Sequence, residues 1–247
     1  MPSRSRPVVV VTGGSRGIGR SVCLRAAEAG YDVCFSFRRD EAAAGEVVRR
    51  ALDLGARCRA IKADMASPAD VGVLFATAVA EFGRIDGVVN NAGMTGRVGR
   101  FLDSDPAEVD RVIDCNLRGV MTCCREALKH LGEGGAIVNV SSGAAQTGSP
   151  NTYIWYAATK AAVETFSLGL AREMAASGIR VNVVSPGVTD TDIHAEGGRP
   201  QSMADLAKVI PINRVAEPDE IARPILWLLS AEASYVVGAV LRVGGGR

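Results

Sequence analysis

The chain has 247 residues, of which 28 are basic and 27 acidic, giving a formal net charge of +1. Single α/β domains often reach about 250 residues, so this length fits one large domain or two small ones. The balanced charge provides no broad basic surface, which argues against a nucleic acid or an anionic membrane as a partner.

The first apolar run, from Val8 to Val11, is too short for a signal-peptide core or a membrane span. No other apolar stretch approaches about 18 residues, so we expect a soluble, cytoplasmic protein. The six cysteines show no CxxC spacing and no companion histidine cluster. They therefore indicate buried free thiols in a reducing compartment, and no metal site.

Short β-branched runs alternate with longer helical patterns along the chain. Most runs are continuously apolar, which is typical of parallel strands covered by helices on both faces. No repeat or low-complexity linker divides the chain, so we predict a single α/β domain over residues 1–247. The seven predicted strands are 8–12, 32–37, 57–63, 85–91, 136–142, 179–185 and 235–243.

Prolines mark several helix starts. Ser67 followed by Pro68, with an acidic residue three positions after the serine, predicts an N-cap and a first helical turn. Pro106 and Pro218 follow acidic residues in the same way. Pro224 lies well inside the last of these helices, where the missing backbone donor predicts a kink.

The segment 189–203 is rich in Gly, Asp and Thr and separates the sixth strand from a later helix. Loops of this length inside a compact domain are usually lids or disordered segments. We therefore predict a substrate lid over residues 189–210.

A glycine-rich turn, "TGGSRGIGR", directly follows the first strand. Glycines let the backbone approach a pyrophosphate, and the free N–H groups of the following helix bind its negative charge. The spacing is one residue longer than the commoner dinucleotide fingerprint, and a purely structural turn is the alternative. The predicted cofactor contacts in this turn are Gly13, Ser15, Arg16, Gly17, Ile18 and Gly19.

The end of the second strand reads "FSFRRDE". A carboxylate there would favour a free ribose 2′-hydroxyl, whereas an arginine accepts a 2′-phosphate. Arg38 and Arg39 occupy this place, and Arg16 lies in the glycine turn, so the sequence predicts NADP(H) over NAD(H). One of the two adjacent arginines could merely solvate the loop, and Arg38 is the preferred ligand.

The stretch "YIWYAATKAAVETF" places a phenol and an ammonium group on one predicted helix. Residues four apart share a helix face, so Tyr156 and Lys160 can point into the same cavity. Tyr153 does not have this spacing to Lys160, and we expect it to line the substrate entrance or to pack in the interior.

These features resemble the short-chain dehydrogenase/reductase family in its compact branch. The resemblance implies a doubly wound Rossmann sheet, a nicotinamide cofactor, a small carbonyl or alcohol substrate, and a homotetramer or homodimer. It extends over essentially the whole chain. The matching motifs are "TGGSRGIG" (12–19), "NNAG" (90–93), Asn116 in "DCNLRG", "VNVSS" (138–142), Tyr156 with Lys160, and "SPGVTDT" (185–191).

The resemblance implies a catalytic set of Asn116, Ser142, Tyr156 and Lys160. Carbonyl reduction requires an acid at the carbonyl oxygen, and a cation one helical turn away would lower the tyrosine pKa from about 10. Ser142 would hydrogen-bond the carbonyl oxygen, with the adjacent Ser141 as the open alternative. By resemblance, Asn116 would hold a water that relays protons through Lys160.

The resemblance also assigns further cofactor contacts. Asp64 would accept a hydrogen bond from the adenine amino group, and Thr191 would bind the nicotinamide amide or a phosphate. The full set outside the glycine turn is Arg38, Asp64, Met65, Asn90, Ala92, Gly93, Tyr156, Lys160, Pro186, Gly187, Val188 and Thr191.

The leading hypothesis is an NADP(H)-dependent reductase of a ketone or aldehyde that also oxidises a secondary alcohol. One alternative is a 3-oxoacyl carrier-protein reductase, which needs basic residues near the site for its acidic carrier. Another is a non-catalytic NADP(H)-sensing protein, although a sensor has no chemical need for the catalytic set. The candidate carrier contacts are Arg97, Arg100, Lys129 and Arg172.

Overall fold

The computed structural model describes residues 6–193, 198 and 203–247. Its seven strands form one sheet in the order β3-β2-β1-β4-β5-β6-β7, and every pairing is parallel. The strands are β1 (Val8–Val11), β2 (Asp32–Phe37), β3 (Cys58–Lys62), β4 (Gly87–Asn90), β5 (Ala136–Val140), β6 (Arg180–Pro186) and β7 (Val240–Val243).

Helices connect the strands and cover both faces of the sheet, which confirms the predicted doubly wound architecture. The strand order reverses between β1 and β4, and ligands of such sheets bind at the carboxyl ends beside this point. The helices are α1 (Gly17–Glu28), α2 (Glu41–Asp53), α3 (Pro68–Phe82), α4 (Pro106–Ile113), α5 (Gly119–Leu128), α6 (Ala144–Thr147), α7 (Ile154–Met174), α8 (Met203–Ala207) and α9 (Pro218–Leu229).

The continuous apolar strands are buried from both sides. In β1, Val9 and Val11 pack against α1, α2 and α9, whereas Val10 faces α3, α5 and α7. All four residues of β1 have no exposed surface. This double burial explains why the strand is not alternating in polarity.

The predicted helix starts are present. The Ser67 side chain accepts a hydrogen bond from the backbone N–H of Asp70, and Pro68 is the first residue of α3. Pro106 begins α4, and Pro218 begins α9 behind a capping box formed by Glu217 with Glu220.

Helix α9 continues through Pro224, as predicted, and the kink there stays a prediction. A proline inside a helix costs about 3 kcal/mol. Ile221, Ile225 and Leu228 are fully buried on the same helix, and each contributes about 1.5–3 kcal/mol. Burial of this face therefore outweighs the lost hydrogen bond.

The seventh strand is shorter than the predicted 235–243, because it begins only at Val240. Gly238 adopts a left-handed conformation with a φ of 74° and donates its N–H to the Val181 carbonyl. This conformation turns the chain and prevents an extended strand from starting earlier.

Among the described residues, no helix is long and apolar enough to cross a membrane. The predicted lid, 189–210, includes 194–197 and 199–202, which lie outside the described residues. Its role as a lid therefore stays a prediction.

Candidate active site

A cleft of about 280 Å³ opens at the carboxyl ends of the central strands. It begins at the glycine-rich turn between β1 and α1 and runs to the start of α7. Among the residues that line it, those predicted from the sequence are Gly13, Ser15, Arg16, Gly17, Ile18, Arg38, Asp64, Met65, Ala92, Gly93, Ser142, Tyr156, Lys160, Pro186, Gly187 and Thr191.

The glycine-rich turn is held against the end of β2. Gly13 donates its N–H to the Ser36 hydroxyl at 3.1 Å, and Gly14 donates to the Ser36 carbonyl at 2.8 Å. Ser36 is therefore engaged in positioning the turn. A Cβ at Gly19 would lie 2.1 Å from the Gly13 carbonyl oxygen, so only glycine permits this close approach.

Gly19 itself does not line the cleft, and it acts by allowing α1 to pack against the turn. Gly17, by contrast, lines the cleft with a φ of 52°, and its missing side chain would meet Thr191 at 3.1 Å. Thr191 thus packs directly against the start of α1.

Asn90, a predicted cofactor contact, is not among the residues that line the cleft. Its side chain has 2% exposure and donates to Asn139 in the interior between β4 and β5. The next residue, Asn91, faces the cleft and donates its amide to the Thr12 and Gly13 carbonyls at 3.0 and 3.1 Å. Sequence reasoning missed Asn91 because adjacent residues of a strand point in opposite directions.

Arginines line the end of the cleft beside β2. Arg38 and Arg39 follow β2 and form no hydrogen bond or ion pair with the part of the chain that the structure describes. Arg16 forms an ion pair with Asp192 at 3.6 Å. Both partners are more than half exposed, so this pair is weak.

Opposite the arginines, Asp64 and Met65 follow β3. The Asp64 carboxylate accepts a hydrogen bond from the Ala66 N–H at 3.0 Å, which fixes its orientation. Val188 does not line the cleft, because its carbonyl instead accepts from the Ala216 N–H at 3.0 Å.

At the other end of the cleft, Tyr156 and Lys160 lie one turn apart near the start of α7. Burial raises the pKa of Tyr156 to about 12, and a hydrogen bond with the Ser142 hydroxyl offsets part of this effect. In the chain alone, desolvation of the buried phenol is the largest influence on the Tyr156 pKa, so the lowering expected from Lys160 stays a prediction. The Lys160 Nζ lies 5.7 Å from the Tyr156 ring centroid.

Lys160 is 3% exposed, and its Nζ donates to the Val140 carbonyl at 2.8 Å. Burial lowers the pKa of Lys160 to about 8, and the Cys115 thiol acts in the opposite direction. Cys115 lines the same cleft, and burial raises its own pKa. A cysteine contact here was not predicted from the sequence.

The two adjacent serines have different surroundings. Ser141 is buried, and its hydroxyl donates to the Glu164 carboxylate at 2.7 Å, away from Tyr156. The Ser142 hydroxyl is the one hydrogen-bonded to Tyr156, and it also accepts from the Ala144 N–H at 3.2 Å. The geometry thus favours Ser142 over Ser141.

Asn116 is fully buried in a π-helical turn, Asp114–Arg118, between α4 and α5. Such turns are frequent at functional sites. Its amide donates to the Met94 carbonyl at 2.8 Å and its Oδ1 accepts from the Met94 N–H at 2.9 Å. A Cβ at Gly93 would lie 3.3 Å from the Asn116 Oδ1 and 3.5 Å from the Lys160 Nζ. Asn116 therefore lies behind Gly93 and does not line the cleft.

Tyr153 packs in the interior. It is 7% exposed, and its ring meets that of Tyr156 edge to face with centroids 5.3 Å apart. It therefore supports the Tyr156 ring from behind. Within the described residues, no cluster of His, Cys, Asp and Glu could hold a metal ion.

The chain is similar to known proteins over nearly its whole length. A family described as "Enoyl-(Acyl carrier protein) reductase" matches residues 13–247. The chain is 39% identical to the uncharacterized oxidoreductase YgfF of Escherichia coli K12, over 97% of this chain and 99% of that protein. It is also 39% identical to 3beta-hydroxysteroid dehydrogenase 1 of Eggerthella lenta, covering 96% and 92%. A 3-oxoacyl-[acyl-carrier-protein] reductase, FabG of Staphylococcus aureus, is 36% identical, covering 96% of each chain.

A short-chain dehydrogenase of Burkholderia cenocepacia J2315, solved in complex with NADP, superposes with a TM-score of 0.92. It is 34% identical and covers 99% of both chains. The chain belongs to the short-chain dehydrogenase/reductase family. It is accordingly an oxidoreductase of CH–OH and C=O groups. A second family member, a blue fluorescent protein from a metagenomic library in complex with NADPH, has a TM-score of 0.91 at 33% identity, covering 97% of each chain.

Proposed function

We propose that this protein is an NADP(H)-dependent reductase of a ketone or aldehyde, with Tyr156 as the general acid. The observation that carries the proposal is the buried contact of Tyr156 with Ser142, beside Lys160, at the end of the cleft that begins at the glycine-rich turn. In the reverse direction the same groups would oxidise a secondary alcohol.

The cleft fits a dinucleotide with a 2′-phosphate. The Gly17 conformation and the free backbone N–H groups at the start of α1 suit a pyrophosphate. Arg38 would bind the 2′-phosphate, because its guanidinium has no competing partner among the described residues. Two solved relatives were crystallised with NADP or NADPH, which supports the same cofactor here.

The reduced nicotinamide would supply the hydride when bound. Tyr156 would donate its hydroxyl proton to the carbonyl oxygen, and its raised pKa keeps it protonated at neutral pH. Ser142 would donate a hydrogen bond to the same oxygen and stabilise the developing negative charge. The proton on Tyr156 would be replaced through Lys160, with Asn116 fixing the wall behind Gly93.

A 3-oxoacyl carrier-protein reductase is the second candidate, favoured by the likeness to FabG. Its carrier would require exposed basic residues. All four candidate basic residues are exposed, and Lys129 also forms an ion pair with Glu126 at 2.7 Å. The sensing alternative loses support because the chain belongs to an oxidoreductase family.

We also propose that the protein is a homo-oligomer, a homotetramer or a homodimer. On α7, Ala158 is exposed and Ala161 and Ala162 are half-buried, so this face can accept close packing of another helix. Ala157 is 3% exposed and packs internally, so it does not belong to this face.

The test is oxidation of NADPH and of NADH, measured separately with cyclohexanone, benzaldehyde, phenanthrenequinone and acetoacetyl-CoA. We expect turnover with NADPH to exceed that with NADH on at least one compound. Turnover confined to acetoacetyl-CoA would favour the second candidate. Binding of NADPH without turnover of any compound would contradict the reductase proposal.

A further inference from the structure

The Glu164 carboxylate joins two segments that flank the catalytic serine. Its Oε1 accepts from the Ser141 hydroxyl at 2.7 Å, and both of its oxygens accept from the Gln146 amide, at 2.9 and 3.1 Å. Ser141 immediately precedes Ser142 in the chain, and Gln146 lies on α6, which follows it. Glu164 therefore holds the chain on either side of Ser142.

Glu164 also lies on the helix that carries the acid. Tyr156, Lys160 and Glu164 are spaced at intervals of four on α7, so they follow one another along a single face. Lys160 adds a second link between this helix and β5, because its Nζ donates to the Val140 carbonyl at 2.8 Å. The Ser141 hydroxyl also lies 3.2 Å from the Lys160 carbonyl.

The contacts of Glu164 are with a hydroxyl and an amide, and it forms no ion pair within the described part of the chain. Hydrogen bonds to a charged acceptor are short and about twice as strong as neutral ones. Ser141 is 3% exposed, so the bond is shielded from water on that side. The carboxylate is therefore suited to fixing a loop to a helix.

Resting on the proposed function, we infer that Glu164 is a positioning residue for the reaction. It locks the Ser142 segment, residues 141–146, to α7 and thereby fixes the Ser142 hydroxyl relative to the Tyr156 hydroxyl. A misplacement of about 1 Å at a reacting centre can lower the rate about 100-fold. Loss of Glu164 should therefore lower kcat while the cofactor still binds.

The first test is hydrogen–deuterium exchange of Glu164→Ala and Glu164→Gln, with Glu173→Ala as the matched control. Glu173 is an exposed glutamate near the end of the same helix, beyond the stretch that carries Ala158, Ala161 and Ala162. We expect faster exchange over residues 141–147 in both Glu164 variants and wild-type exchange in the control. Unchanged exchange in Glu164→Ala would overturn the inference without any need for a substrate. The more conservative Glu164→Gln, which retains one acceptor, guards against a variant that fails to fold.

The second test is a double-mutant cycle with Ser142→Ala, using NADPH and the compound turned over best in the panel. We expect kcat to fall about tenfold in Glu164→Ala with an unchanged Kd for NADPH, and to change less than about twofold when Ser142 is already Ala. An equal fall in both backgrounds would overturn a role through Ser142. Full activity of Ser142→Ala would contradict the proposed function itself, whereas activity sensitive to Ser142 but not to Glu164 would overturn this inference alone.

Discussion

Lys160 carries a buried ammonium group, with 3% of the residue exposed, so we expect the stability of the fold to depend on pH. Burial lowers the pKa of Lys160 from 10.5 to about 8 in the folded chain. Between these values the unfolded chain binds more protons than the folded one, so stability should rise with pH. The stability gained from the neutral Lys160 is fully present above about 10.5 and is lost as pH falls to about 8.

The check is urea unfolding of the wild type and Lys160→Met at pH values between about 8 and 10.5. The difference in free energy of unfolding, wild type minus variant, should increase by up to about 3 kcal/mol across this window. Cysteines and tyrosines titrate there too, but they are common to both proteins. Parallel curves would show that Lys160 keeps an ordinary pKa.

Arg38 and Arg39 are adjacent and both line the cleft beside the end of β2, so they form a matched pair. Replacing Arg38 by Ala should raise the Kd for NADPH by at least about tenfold and leave the Kd for NADH unchanged, because only NADPH carries the 2′-phosphate. Arg39→Ala should change either Kd by less than about twofold. Fluorescence titration measures the Kd of each variant for NADPH and for NADH. A larger effect of Arg39→Ala on the Kd for NADPH would make Arg39 the ligand of the 2′-phosphate.

Some residues of the cleft could be predicted from the sequence and others could not. The patterns predicted Tyr156 and Lys160, because helical spacing alone places them on one face. They did not distinguish Asn90 from Asn91, because the facing residue depends on where the strand ends. Glu164 was not predicted, because its partners depend on how α6 folds back over α7.

At the level of elements, two helical glycines have opposite roles. A Cβ at Gly19 on α1 would lie 2.1 Å from the Gly13 oxygen, whereas a Cβ at Gly45 on α2 would have no neighbour within 4 Å. Gly19→Ala should therefore destabilise the protein by about 2 kcal/mol or more and displace the glycine-rich turn. Gly45→Ala should stabilise it by about 0.5–1 kcal/mol, because glycine is a poor helix former.

Thermal unfolding and NADPH titration of both variants check this prediction. We expect a lower Tm and weaker NADPH binding for Gly19→Ala, and a higher Tm with unchanged binding for Gly45→Ala. Wild-type NADPH affinity in Gly19→Ala would show that the close approach in the turn is dispensable.

The elements that were predicted well carry local signals. The glycine-rich turn and the N-caps of α3 and α9 are set by neighbouring residues, and the structure has them where the sequence indicates. The start of β7 depends instead on a distant hydrogen bond, and the burial that stabilises α9 around Pro224 is also tertiary. Tertiary burial decides such cases over local propensity.

At the scale of the whole molecule, Arg180 joins the sheet to the last helix. It begins β6, is 7% exposed, and donates to the carbonyls of Leu228, Leu229, Ser230 and Ala233 at the end of α9. Arg180→Met should cost about 3 kcal/mol, because these buried acceptors lose a charged donor. Arg223→Met removes an exposed ion pair with Asp219 and should cost less than about 1 kcal/mol. Urea unfolding of both variants tests the difference, and equal losses would contradict it.

The whole-chain architecture was predicted from the strand pattern because parallel strands buried on both faces have a distinctive composition. The strand pattern carries no information on the substrate or the oligomeric state. The substrate depends on loops around the cleft, and the proposed assembly depends on exposed surfaces such as the outer face of α7.

The proposed function requires Tyr156 to donate the proton in an NADPH-dependent reduction, and the variant Tyr156→Phe tests this requirement. The substitution removes only the hydroxyl, so the Kd for NADPH should stay within about twofold of the wild type. With the best compound of the panel, kcat should fall by about 100-fold or more. Turnover by Tyr156→Phe close to that of the wild type would contradict the assignment of Tyr156 as the acid.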